Sequence, residues 1–412
     1  MKKMLIVGFV LVLAMTNFAF AAGTQEAPKA AAQGVTATSV LVGNAAATSG
    51  FFATVGGPFN DGIQAYFKRI NDAGGVNGRL IDFVHYDDEF NASKGIAATE
   101  RLVEDDKVFA LVGHFGTPTV GATLGYIREK GIPMVYAATG IGDLFRDKAV
   151  GGERAVFPVQ PIYQTEGRWM VAKALEMFPQ AKKIGVFYTN DDAGQNLLWG
   201  VENYAKQAGV QVVVRQTALS EGNISPAAQV TAIKSEGVDV VIAAMNQGPF
   251  LTLVGELSSQ NMAAPVFTSY VSSNITVANA LYGANGIVGK KFDTYAGAWV
   301  NLSGERAKNY EAFVADMTAF GKKDLGVNAY AMAGWIAGNF FVEGLKRVQG
   351  VLTWDAYINA LESAPISNPL GGVIDYSDGK RWGTQEMALL KADMTSALGW
   401  SEALPISGIV LK

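Results

Sequence analysis

Phe109-Ala-Leu-Val-Gly-His-Phe-Gly-Thr-Pro-Thr-Val-Gly-Ala-Thr123, echoed by Ile132-Pro-Met-Val-Tyr-Ala-Ala-Thr-Gly140, decides how this chain reads. Phe109 to Val112 is a short run of apolar, aromatic and branched residues, the pattern of a buried strand, and Gly113 to Gly116 breaks it. Thr117 then stands where a helix N-cap is expected, with Pro118 at the first helical position, where its missing N–H costs nothing. A strand that ends in a glycine turn and feeds a capped helix leaves backbone donors at the C-terminal edge of a sheet, aimed at whatever anion sits there. The pattern describes binding rather than reaction.

The same βα unit extends on both sides. Ser39 to Gly43 and Arg79 to Tyr86 read as strands, Pro58 to Asn71 and Asn91 to Asp105 as helices, and Thr119 to Lys130 as the helix before strand Pro133 to Tyr136. Strands and helices that alternate at this length imply an α/β fold with a parallel sheet and right-handed crossovers. Near Phe157-Pro-Val-Gln-Pro161 the alternation pauses in an extended, proline-bracketed segment suited to a crossing between lobes. It then resumes with strands at Lys183 to Tyr188, Val210 to Arg215, Val238 to Ala244 and Pro265 to Thr268. Helices are expected at Ala193 to Ala208, Pro226 to Glu236 and Pro249 to Gln260, the first capped by Asp192. Two series of similar order imply two similar halves. Later helical patterns, near Glu305 to Ala319, Val327 to Val348 and Trp354 to Leu361, start no new series and are expected to complete the first lobe.

Residues 1–21 read as an export signal: Lys2 and Lys3 precede an apolar stretch from Met4 to Met15, and Ala19-Phe20-Ala21 supplies small residues for cleavage. That stretch falls short of the roughly 20 residues that span a bilayer. Residues 22–36 form a small, polar tail expected to be disordered. A periplasmic location follows, and with no cysteine in the chain stability must come from ordinary cores. With 33 basic against 37 acidic residues there is no basic field, so nucleic acid and anionic membrane are not expected partners.

Val42-Gly43, Ile70-Asn-Asp-Ala-Gly-Gly-Val-Asn-Gly-Arg79 with Tyr86-Asp-Asp88, Val112-Gly-His114, Ala137-Ala-Thr139 and Asn190-Asp-Asp192 occur in an order that resembles one family. It is that of the leucine/isoleucine/valine-binding periplasmic proteins of ABC importers, and the resemblance covers nearly the whole chain after the signal. It implies the type I periplasmic-binding fold, two Rossmann-like lobes with parallel sheets joined by a hinge. Lobe one is expected at residues 37–158 and 293–370, lobe two at 159–292 and 371–412. Such a protein acts as a monomer, closes around a small solute and presents it to a membrane permease, with no cofactor.

The resemblance also implies site residues. A solute carboxylate would be held by Thr117 with Phe115 and Gly116 beside it, and by Ala137 and Thr139. The second lobe would contribute Asp192, Asn246 and Tyr270 from its strand ends, and Tyr330 would add an aromatic wall with Phe51, Phe52 and Tyr295. One departure stands out: where amino-acid binders carry a glutamate for the ligand ammonium, this chain reads Phe267-Thr-Ser-Tyr-Val-Ser-Ser-Asn274. An ammonium buried without a counter-charge is costly. Either another acid such as Asp192 or Asp293 supplies it, or the solute is not a standard α-amino acid; the solute expected is a small carboxylate, a branched-chain or aromatic amino acid or a related acid.

Two other classes of function share parts of this pattern. An enzyme lacks support: there is no Gly-x-Ser-x-Gly elbow, no phosphate loop and no metal-ligand cluster, and the adjacent acid pairs Asp87-Asp88 and Asp191-Asp192 diverge on a regular element. A ligand sensor acting with a receptor or regulator would use the same cleft. His114 follows a buried strand and reads as a packed, hydrogen-bonded histidine, not a metal ligand, His85 being the only other.

Overall fold

The computed structural model describes residues 30–217, 225–289, 291–300, 302 and 306–409. The signal segment, most of the tail expected after it, and Glu305 lie outside the described residues. The first sheet takes β1 (Ser39–Ala46), β2 (Leu80–Asp87), β3 (Ala110–Val112), β4 (Met134–Val135) and β5 (Val156–Phe157) in the order β2-β1-β3-β4-β5, all parallel. Its crossovers include α1 (Ala53–Asp72), α2 (Ala92–Glu100) and α3 (Thr117–Lys130). Every residue of β3 and β4 is buried, as strands covered on both faces require.

After β5 comes α4 (Tyr163–Met177), a helix that the sequence reading passed over. The second series runs β6 (Lys183–Thr189), α5 (Asp192–Ala208), β7 (Gln211–Thr217), α6 (Ala227–Ser235), β8 (Val240–Ala244), α7 (Gln247–Ser259), β9 (Val266–Thr268), α8 (Ile275–Tyr282) and β10 (Thr294–Ala298). The chain returns through α9 (Arg306–Ala319), α10 (Ala329–Arg347) and α11 (Trp354–Glu362). The short pair β11 (Ile366–Ser367) and β12 (Val373–Ile374) follows, then the hairpin β13 (Glu386–Ala392) and β14 (Trp400–Gly408). The second sheet has the order β14-β13-β10-β9-β8-β6-β7, with only the hairpin antiparallel.

The returning helices cover the first sheet. α1 and α10 approach so closely that a Cβ on Gly62 would stand 2.0 Å from the Ala331 carbonyl and one on Gly334 1.8 Å from that of Phe59. Glycine at both points lets the two backbones touch, and Trp335 packs edge-on against Tyr66 beside them.

Three expectations need correction. Residues 293–298 do not belong with the first lobe: β10 pairs with β9 and β13, and its small residues Ala296, Gly297 and Ala298 hid the strand from pattern reading. Conversely, residues up to about Arg381 pack on the first lobe, where buried Arg381 pairs with Glu362 of α11 at 2.5 Å and exchanges backbone hydrogen bonds with Arg146. The end of the tail is also ordered. The Ala32 amide donates to the Leu352 carbonyl at 3.0 Å, the Gln33 side chain donates to the carbonyls of Val103 and Val108, and Val35 bridges Val40.

The two sheets are linked by three segments: Val159 to Pro161, the residues after β10, and the stretch before β13. The Thr384 amide and hydroxyl both donate to the Val159 carbonyl, at 2.8 and 2.7 Å, tying the first and third together.

Candidate ligand-binding site

At the start of α3 the structure departs from the simplest reading. The N-cap is Gly116, at φ +89, and Thr117 is the first helical residue. A Cβ at Gly116 would meet the Phe90 ring at 2.9 Å, so backbone conformation and packing both require glycine there. Thr117 is thereby released from capping. Its hydroxyl instead bonds that of Thr139 at 2.8 Å, both side chains being buried. The first-turn amides of α3 remain without intrahelical partners, and the helix dipole adds positive potential at that end.

A cavity of about 370 Å³ lies between the lobes, beyond the ends of β3, β4, β8 and β9. It falls within the roughly 300–1,000 Å³ of clefts that enclose small ligands. Of the residues named from the sequence, Phe115, Gly116, Thr117, Asn246, Tyr270 and Tyr330 line it. Asn246 is the N-cap of α7 but its side chain makes no capping bond, leaving its amide for the cavity. The Tyr270 hydroxyl receives the Gln160 amide at 2.7 Å and donates to the Pro161 carbonyl at 3.2 Å, so this residue offers the cavity its ring.

Other expected residues stand elsewhere. Ala137 is buried in the core with Leu124 and Ile141, because alternation after β4 turns Tyr136 and Ala138 to the cavity instead. Thr139 does not line the cavity and stands behind Thr117, to whose hydroxyl it bonds. Asp192 neither caps the helix nor lines the cavity: Asp191 caps α5 by accepting the Gly194 amide at 2.8 Å, and Asp192 sits near Gly121 where α5 meets α3. Asp293 pairs with Lys391 at 2.9 Å, so it is no counter-charge either. Phe51 is 57% exposed, and Tyr295 stacks on Phe267 in the core.

Pattern reading missed Phe59, Phe90, Tyr136, Tyr163, Trp299 and Trp400, which also line the cavity. They come from helix faces, crossings and the hairpin, and only the fold brings them together. Ten of the lining residues are aromatic, and among the described residues the only charged one is Glu402, exposed at the rim. No lysine, arginine or histidine lines the cavity among the described residues.

Behind the wall, His114 is fully buried and burial pushes it down to about 3. Its Nδ1 accepts the Ala45 amide at 3.3 Å, which places the proton on Nε2 between the Thr99 and Thr123 hydroxyls, each 3.2 Å away. Asp88 receives the Thr119 hydroxyl at 2.5 Å and the Phe90 amide at 2.9 Å, fixing the ring that packs on Gly116. Among the described residues no group of three or more acids or histidines could hold a metal ion.

The profile of the periplasmic binding protein family matches residues 39–397. The chain belongs to that family. An amino acid binding protein of Pseudomonas aeruginosa is 29% identical over 210 residues, 49% of this chain and 52% of that protein, so the chain spans about half the length of that relative. Among solved structures, a fatty acid ABC transporter substrate-binding protein from Thermomonospora curvata superposes with a TM-score of 0.79 at 19% identity, covering 92% of this chain and 95% of its own. A branched-chain amino acid ABC transporter protein from Thermus thermophilus, with bound valine, gives 0.77 at 15% identity over 90% and 97%. Both share the two-lobed α/β fold with this periplasmic binding protein, as the resemblance in its sequence implied.

Proposed function

We propose that this protein is the extracytoplasmic solute-binding component of an ABC importer and that its solute is an apolar carboxylate, aromatic or aliphatic, without an α-ammonium group. It is a carrier, not an enzyme, exported by its N-terminal signal and acting as a monomer with a membrane permease. The observation that supports this most is the charge of the cavity: an aromatic wall with, among the described residues, no enclosed acid to pair an ammonium. An ammonium desolvated there would lack the partner that makes such burial tolerable. A carboxylate is better served, because helix N-terminal amides and the Thr117 hydroxyl hold an anion without any basic side chain.

A thermal-shift panel tests the reading: phenylacetate, benzoate and octanoate against leucine, valine and phenylalanine. The acids should stabilise the protein by RT ln(1 + [L]/Kd), about 2.7 kcal/mol at a hundredfold excess over Kd. A shift with the amino acids alone would overturn it.

A further inference from the structure

Tyr136 follows β4, lines the cavity and is fully buried, yet its hydroxyl has no hydrogen-bond partner. Buried hydroxyls are nearly always satisfied, so an orphan beside a binding cavity calls for an acceptor from outside the chain. The backbone gives an independent sign. Tyr136 holds φ +60, a left-handed conformation that bulky residues rarely adopt and that collects at ligand clamps. The strain fixes the ring between Phe59, 5.6 Å away, and Trp299, 6.2 Å away between centroids. Neither of these neighbours can accept a hydrogen bond from the phenol, whereas the hydroxyls of Tyr270 and Tyr330 are already engaged by protein groups.

We infer that the Tyr136 hydroxyl donates a hydrogen bond to the bound solute, as a second donor to its acid group alongside Thr117. This rests on the reading of the solute as a carboxylate. A neutral phenol among apolar rings is a directional donor that brings no charge into the cleft, so it suits an acid whose body is apolar.

The test compares wild type with Tyr136→Phe, which keeps the ring. Phenylacetate and octanoate are titrated by calorimetry, and the melting temperature of the ligand-free proteins is measured beside them. The expected result is a Kd for the acids raised about tenfold or more, as for a lost bond to a charged group, with a ligand-free melting temperature equal to or above that of wild type. An unchanged Kd overturns the inference. So does a fall in ligand-free stability, which would show that the hydroxyl serves the fold. If wild type binds only amino acids, the carboxylate reading fails separately, and the same variant titrated with the amino acid that binds decides the role of Tyr136: a raised Kd supports it and an unchanged one overturns it.

Discussion

The hydroxyl of Tyr330, on α10, donates to the carbonyl of Val271, in the turn after β9, at 2.7 Å. The same hydroxyl also meets Gln247 at the start of α7. One side chain from the helix that covers the first sheet thus reaches two elements of the second lobe, and does so at the cavity wall. A second bridge lies further along, where Asn196 of α5 accepts the Gly142 amide at 2.8 Å. Such bonds exist only when the lobes are together, so they bias the open-to-closed equilibrium that binding draws on.

Tyr330→Phe should therefore weaken binding without touching the solute's acid. One neutral hydrogen bond contributes about 0.5–1.5 kcal/mol, which corresponds to a rise in Kd of roughly two- to tenfold. Small-angle scattering of the ligand-free variant should show a larger share of the extended form. Unchanged Kd and scattering would mean that the bridge is incidental to closure.

Thr117 and Thr139 form a buried pair and should behave as one. Thr117→Val alone breaks this bond and leaves the Thr139 hydroxyl, 1% exposed, with Tyr163 to bond, which costs about 0.5–1.5 kcal/mol of stability. Adding Thr139→Val removes the half-satisfied hydroxyl, so the double variant should lose less than the sum of the two single losses while solute affinity stays low. A denaturation cycle over the four proteins measures the coupling. Additive losses would show that the hydroxyls act independently.

Glu166, near the start of α4, is fully buried, and burial pushes its carboxyl up from 4.5 to about 8. One carboxyl oxygen accepts the Tyr270 amide at 2.6 Å and the other shares a hydrogen bond with the Ser269 hydroxyl at 2.9 Å, holding the turn that presents Tyr270 and Val271 to the cavity. The folded protein keeps this proton while the unfolded chain releases it, so its contribution to stability is present below about 4.5 and falls as pH rises toward about 8. Glu166→Gln keeps an acceptor for Tyr270 and has no proton to lose. The variant should gain stability relative to wild type as pH rises across that window, measured by urea denaturation at several pH values. A difference that does not change with pH would refute the assignment.

Much of this architecture was legible because it follows from local physics. The run Phe109 to Thr123 shows a strand, a break and a helix start in its composition alone, and the parallel order follows from alternation. The cap was misplaced by one residue, because Thr and Gly are both acceptable N-caps and only the left-handed φ of Gly116 selects between them. The same one-residue ambiguity put Asp192 in the place of Asp191. β10 was invisible since Thr-Tyr-Ala-Gly-Ala has little strand character of its own and is held by pairing on both sides. Tyr136 and Trp299 were not singled out because an aromatic residue beside a strand reads as core, and here only the third dimension tells core from cavity.

The hairpin gives a prediction that separates solutes by length. Ala388 on β13 and Trp400 on β14 line the cavity together with Leu390 and Leu398, so the space continues from the lobe-one helix terminus to the face of the hairpin. Ala388 stands opposite Ala298 of β10, is 4% exposed, and these two small side chains leave the passage open. Ala388→Leu adds three carbon atoms into this space while keeping a side chain that a strand tolerates. Octanoate should lose affinity by tenfold or more, since each buried CH₂ that is displaced forfeits about 0.8 kcal/mol, whereas benzoate, which does not need the far end, should bind as it does to wild type. Parallel titrations of the two acids against both proteins decide the matter: equal losses for both would mean that the substitution disturbs the whole cleft, and no loss for either would mean that the solute never reaches the hairpin.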